Sequence, residues 1–414
     1  MHHFNEIFIQ ILILLAISLT VIALTKLMNR PYSIALVLVG LILGLTEIPY
    51  LDEAEHFIVQ SEVFQVIIIS LFLPVLLGDA SLKLSFSHLK EEKGPVLALA
   101  VGGTLLSFLF IGIGAYYLIG LPIIVAFTFA ALMSATDPIS VISIFKSLGV
   151  PKKLVTIIEG ESLFNDGVAV VLFQISTVYL VSYMEMGLAG LGHGILLFLK
   201  FSFGGIAVGG ITGFIFSQII RAYDDYPLEI AFSIVMFFGS YFIAEHFHVS
   251  GVIAIVVAGL IFGNYGAKVG MSETTKINID SFFDTITFFA NSLIFLMIGL
   301  EIKNIDLTKK WGYIAIAIVI VLLSRTLALY ISLAPVRGFS EKYKAILNWG
   351  GLKGSLSIAL ALSLPRTFEG REDILILTFS VVLFSLLFQG LTITPLINKL
   401  KVTDKKENVD SNPS

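Results

Sequence analysis

The sequence predicts an all-α polytopic membrane protein of about thirteen transmembrane helices, arranged as inverted repeats with two discontinuous helices. Three observations predict it. First, 57% of the 414 residues are hydrophobic and only 14% charged, and mean hydropathy is +0.95. A soluble domain carries about 25% charged residues, so water-soluble folds are excluded. Second, long apolar stretches recur from end to end. They are too long and too evenly apolar for barrel strands, which alternate over about ten residues, and helices satisfy their own backbone in lipid. Third, two of the stretches hold helix-breaking residues beside ionisable side chains, the pattern from which secondary transporters build ion sites.

In chain order the predicted spans lie near 7–27, 32–48, 63–81, 95–118, 122–145, 157–184, 194–220, 227–247, 249–265, 282–301, 311–336, 343–364 and 374–397. Together they form one membrane domain, 1–398. Alternate connections and the C-terminal tail hold 18 of the 26 basic residues, while the opposite side holds 5. The positive-inside rule then puts the N-terminus outside and the C-terminus in the cytoplasm. That arrangement needs an odd number of spans. The start Met1-His2-His3 is not the basic region of a cleavable signal, and the polar end of the chain reads as a short disordered tail.

Composition excludes several function classes. With no cysteine, disulfides, thiolate catalysis and iron–sulfur sites are impossible. A net charge of −4 gives no reason to expect nucleic acid as a partner. No soluble domain interrupts the spans, so no nucleotide and no cofactor is expected, and gradients must drive any work. The seven histidines fall at predicted span ends or loops, which argues against an intramembrane hydrolase.

Ionisable residues inside spans are expensive and mark function by default. Span 3 carries Asp79 near its cytoplasmic end, either as a simple interfacial carboxylate or as part of a site. Span 5 contains Ala135-Thr136-Asp137-Pro138. Pro138 clashes with the carbonyl of Ser134, and Asp137, preceding proline, is pushed toward an extended conformation. A break near mid-bilayer is expected, with a plain proline kink as the simpler reading. Span 6 opens with Glu159-Gly160-Glu161-Ser162-Leu163-Phe164-Asn165-Asp166. Ser162, Asn165 and Asp166 share one helix face, and Glu161 and Asn165 form an adjacent i,i+4 pair. A carboxylate, a hydroxyl and an amide oxygen are hard ligands, suited to alkali or alkaline-earth ions. The alternative is a polar clamp between helices.

The later spans are sparser. Span 7 has Gly205-x-x-x-Gly209, which permits close packing but is unspecific. Glu245, His246 and His248 lie at an outer helix end, as a pH-responsive group or an ordinary solvated turn. Span 11 holds Arg325, which needs a carboxylate, and Glu161 is the first choice of partner. Span 12 has Gly350-Gly351-Leu352-Lys353-Gly354, a second interruption. Lys353 there offsets either Asp137 or the negative end of a half-helix. The two breaks and the odd span count suggest two inverted halves, spans 1–6 and 8–13, about span 7.

Residues 161–173, Glu-Ser-Leu-Phe-Asn-Asp-Gly-Val-Ala-Val-Val-Leu-Phe, resemble the signature helix of monovalent cation:proton antiporters. They are most similar to the branch holding NhaP proteins and animal sodium/proton exchangers. Ala-Thr-Asp-Pro (135–138), His-Val-Ser-Gly-Val-Ile-Ala (248–254), Arg325 and Gly-Gly-Leu-Lys-Gly (350–354) match further family motifs in the expected order. The resemblance covers roughly 60–396. It implies an NhaA-like antiporter fold of thirteen spans with two crossed discontinuous helices, and a homodimer. A scaffold (about 1–93 and 187–305) faces a transport core (about 94–186 and 306–398), followed by a tail at 399–414. By position, Asp166 carries Na⁺ (or Li⁺) and H⁺, with Ser162 and the Thr136 region as ligands. Asp79 lines the cytoplasmic funnel, Asn165 partners Asp137, and Glu161 pairs with Arg325. Lys353 stands where the family usually has Arg, so the charge carries over and the forked geometry does not. The long regulatory tail of the animal exchangers is missing.

The resemblance thus implies sodium(lithium)/proton antiport for pH and sodium homeostasis in the cell membrane, by alternating access. Asn rather than a second Asp at 165 implies electroneutral one-for-one exchange. Potassium/proton exchange on the same scaffold is the nearest alternative, and a sodium-coupled organic-solute symporter the next.

Overall fold

The computed structural model describes residues 2–27, 32–46, 71–301, 310–336 and 338–402. Every regular element among the described residues is helical. In chain order they are α1 (His2–Leu27), α2 (Tyr32–Leu45), α3 (Leu73–Lys83), α4 (Phe86–Glu91), α5 (Lys93–Ile119), α6 (Ile123–Ser134), α7 (Ile139–Leu148) and α8 (Lys152–Glu185). Then follow α9 (Leu188–Ile220), α10 (Tyr226–His246), α11 (Gly251–Val269), α12 (Glu273–Glu301), α13 (Trp311–Leu333), α14 (Glu341–Gly350), α15 (Ser355–Leu362) and α16 (Arg371–Leu400).

Ten helical stretches among the described residues are long and apolar enough to cross a bilayer. They correspond to predicted spans 1, 4 and 6–13. Tyr32–Leu45 and Ile123–Ser134 are shorter apolar helices. Of the span expected at 63–81, residues 63–70 lie outside the described residues, as do 302–309 and most of the tail.

Two boundaries differ for a physical reason. Apolar windows define the expected spans, but helices continue into polar flanks. α8 starts at Lys152, with Pro151 before it. Its acidic cluster therefore lies inside the helix rather than opening it. α12 starts at Glu273, where Ser272 Oγ accepts from the Thr275 N–H at 3.2 Å.

Both expected breaks are present. The chain leaves helical geometry between α6 and α7, where Ala135 is extended (φ −69°, ψ 153°). It does so again between α14 and α15. The two breaks face each other: the Asp137 N–H donates to Leu352 O at 2.8 Å. Close packing elsewhere depends on small residues, because helices in lipid gain little from hydrophobic burial and associate by van der Waals fit. Gly205 and Gly209 lie against α11; a Cβ at Gly205 would sit 2.7 Å from Ser250 O and one at Gly209 would meet Ala254.

Candidate ion-binding site

The site is built where the two breaks meet. Each break leaves two helix ends without backbone partners, and a helix end buried in a membrane needs a substitute. Asp137 serves both N-terminal ends. Its Oδ1 accepts from the Ile139 N–H at 2.9 Å, at the start of α7, and its Oδ2 from the Ser355 N–H at 3.4 Å, at the start of α15. A carboxylate at the positive end of two helix dipoles is well placed electrostatically. Gly354 makes room for this, since a Cβ there would overlap the Asp137 side chain.

Cations serve the C-terminal ends. Lys353, 4% exposed, donates from Nζ to Ala135 O at 3.0 Å, just past α6. Of the two roles open to it from sequence, its direct contact is with the half-helix end. Arg325 donates to Leu347 O at 3.2 Å in the last turn of α14 and forms a buried ion pair with Glu161. Two hydroxyls hold the rest of the crossing. Ser385 Oγ accepts from the Lys353 N–H at 2.9 Å, and Ser357 Oγ donates to Leu132 O at 2.7 Å.

α8 supplies the remaining polar atoms. Asn165 Oδ1 accepts from the Thr136 N–H at 3.4 Å, and Asn165 Nδ2 donates to Thr136 Oγ1 at 2.7 Å. Thr136 Oγ1 and Ser162 Oγ share a hydrogen bond of 3.0 Å. The expected pairing of Asn165 with Asp137 is therefore replaced by one with Thr136. The reason is donor quality. Both Asp137 oxygens are engaged by N–H groups at helix starts, while an amide fits the donor and acceptor that Thr136 presents together.

Asp166 differs from every other charge here. It is half-buried, and among the described residues it has no hydrogen-bond partner. It lies in the field of Asp137 and Lys353. It lines a cavity of about 910 Å³ together with Thr136, Asp137, Ser162 and Asp79. The same cavity reaches residues with exposed charges, Lys146 and Asp284 among them. Asp79 is buried at 7% exposure, and its Oδ1 lies 2.5 Å from Lys83 Nζ.

Among the described residues, no three His, Asp or Glu side chains converge as they would on a transition metal. The oxygen set at the crossing suits a hard monovalent cation. Glu245, His246 and His248 do not line the cavity. Ser355, Ser357 and Ser385 also belong to the crossing and carry no sequence signal, because a serine in an apolar helix does not show which broken backbone it faces. Asp284 also escaped, because one acid near a helix end looks like a solvated charge.

Comparison with known proteins agrees in family and in fold. A family model described as sodium/hydrogen exchanger, transmembrane, matches residues 12–399. The Na⁺/H⁺ antiporter NhaH of Halobacillus aidingensis is 65% identical over 97% of this chain and 99% of its own. The Na⁺/H⁺ antiporter NhaG of Bacillus atrophaeus is 58% identical over 98% of this chain and 77% of its own. Among solved structures, the sodium proton antiporter MjNhaP1 from Methanocaldococcus jannaschii at pH 8 superposes with a TM-score of 0.78 at 22% identity, covering 96% of this chain and 99% of that one.

Proposed function

Since the chain belongs to the sodium/hydrogen exchanger family, we propose that it exchanges Na⁺ (or Li⁺) for H⁺ across the cell membrane, with both ions competing for Asp166. The observation that carries this reading is the contrast at the crossing. Asp137, Glu161, Lys353 and Arg325 are each held by fixed partners, and Asp166 is left open to the cavity.

A carboxylate that faces an aqueous cavity takes either a proton or a cation. Ser162 and Thr136, on neighbouring elements, offer the hydroxyl oxygens that complete a cation's shell. The network through Asn165 keeps those hydroxyls in place. Asp137 and Lys353 cancel the half-helix dipoles, so the crossing needs no bound ion to stay folded. That lets the site change cargo without collapsing.

In this reading the core (94–186 and 306–398) moves against the scaffold (1–93 and 187–305) and turns Asp166 from one side of the membrane to the other. The site crosses only when loaded, so Na⁺ leaving is matched by H⁺ entering, one for one. Thirteen spans in two inverted halves, an outside N-terminus, a cytoplasmic C-terminus and a homodimer complete the proposal. The oxygen ligands, the absence of a second carboxylate at 165 and the basic-residue asymmetry support it.

The test is Na⁺-induced proton movement in proteoliposomes of the purified protein. Asp166→Asn should abolish exchange while the protein still folds and purifies. Exchange at the normal rate in that variant would overturn the assignment.

A further inference from the structure

The cavity has a second polar wall, away from the crossing. α12 carries Asp280, Asp284, Thr287 and Asn291. Successive spacings of four, three and four residues put all of them on one helix face. The stripe descends from solvent into the protein. The Asp284 side chain is 67% exposed, Thr287 is half-buried and Asn291 is 1% exposed.

α3 stands opposite. Lys83 Nζ lies 2.5 Å from Asp284 Oδ1 and 2.5 Å from Asp79 Oδ1. One helical turn deeper, Thr287 faces the Asp79 carboxylate. Asp79, Thr287 and Asn291 all line the cavity that Asp166 lines. The buried Oδ1 of Asn291 has no hydrogen-bond partner among the described residues. Facing a cavity, such an atom is free to take a water or a cation.

A carboxylate, a hydroxyl and an amide oxygen are the donors a hard cation takes. The charge balance restricts which cation. Asp280 and Asp284 are exposed to solvent, so Asp79 is the one buried carboxylate at the donor set, enough for a monovalent ion and poor for a divalent one. We propose that Asp79, Thr287 and Asn291 form a staging site for an alkali cation between the cavity mouth and Asp166. Lys83 is its tethered competitor, an ammonium that holds Asp79 until the arriving ion displaces it. Displacement is cheap, because Lys83 keeps its contact with the exposed Asp284. The inference rests on the antiport reading above and adds a second site to it.

The experiment is Na⁺-driven proton movement by the reconstituted full chain at fixed pH, over a range of Na⁺ concentrations. Asn291→Ala should raise the KM for Na⁺ about tenfold, the cost of one ligand to a charge, with Vmax falling far less. Thr287→Ala should act in the same direction, and Asn291→Asp, which keeps an oxygen ligand, should not raise KM. Lys83→Gln should lower KM, a change of sign that structural damage does not produce. The staging site is overturned if the Asn291→Ala and Lys83→Gln proteins both keep KM within about twofold of the parent. It is also overturned if Vmax alone falls. Asp166→Asn in the same assay separates the two readings. If that protein is inactive and KM is unmoved in the others, only the staging site fails; if it exchanges normally, the transport site fails first.

Discussion

Asp166 and Glu161 lie five positions apart on one helix and meet opposite surroundings, a cavity and a buried ion pair. Glu161 is locked to Arg325, and both side chains are almost wholly buried. Breaking a buried ion pair leaves one charge uncompensated, at a cost of about 3–5 kcal/mol. Glu161→Ala should therefore lower thermal stability sharply in a size-exclusion melting assay. The double variant Glu161→Ala/Arg325→Met should be more stable than the two single losses summed, because the stranded guanidinium is gone. Equal additivity would mean that the pair is not coupled. The sequence made this pairing legible, since a lone mid-span arginine demands a carboxylate and few are available. It did not make the Asn165 partner legible. Asn165 faces two adjacent candidates, Thr136 and Asp137, and the choice depends on which carboxylate oxygens the helix starts have already engaged.

At the scale of elements, the interruptions were readable because each is written in backbone chemistry. Pro138 removes a donor and Asp137 before it avoids helical geometry, while glycines flank Lys353. How the breaks meet was not readable, because it depends on register across residues far apart in sequence. Gly354 makes the point. Its backbone is extended (φ −142°, ψ −154°), a conformation open to any residue, so its lack of a side chain matters only for space. Gly354→Ala would push a methyl into Asp137 and displace the carboxylate from both helix starts. A misplacement of about 1 Å in such a constellation costs on the order of 100-fold in rate. The expected result is a folded protein with exchange reduced by about that factor, scored as initial rate per reconstituted protein. A rate near the parent's would show that Asp137 need not hold both helices. The α12 stripe was missed for a related reason. Asp280 and Asp284 look like ordinary solvated charges until α3 is placed opposite them.

At the scale of the whole molecule, the question is how much charge moves in a cycle. Asp137 is held by the N–H groups of two helix starts, Lys353 by a carbonyl just past a helix end, and Glu161 by Arg325. None of these groups changes its charge if each keeps its partners as the core moves. In the proposed cycle Asp166 is then the group whose load crosses the membrane, and it is neutralised equally by a proton or by Na⁺. Every loaded crossing carries the same charge, so the two halves of the cycle cancel. A membrane potential is worth about 2.3 kcal/mol per charge per 100 mV. That energy would drive a carrier moving a net charge and leave this one unaffected. Proteoliposomes clamped with potassium and valinomycin should accordingly show the same Na⁺-induced proton flux at zero and at imposed potential; strong acceleration would refute the one-for-one cycle. The same competition gives pH a definite sign. Below the pKa of Asp166 protons hold the site, so the KM for Na⁺ should rise as pH falls, by as much as about tenfold per unit. The maximal rate should also fall at high pH, where protons for the return crossing become scarce. A KM for Na⁺ independent of pH across the active range would mean that the two ions do not share one carboxylate.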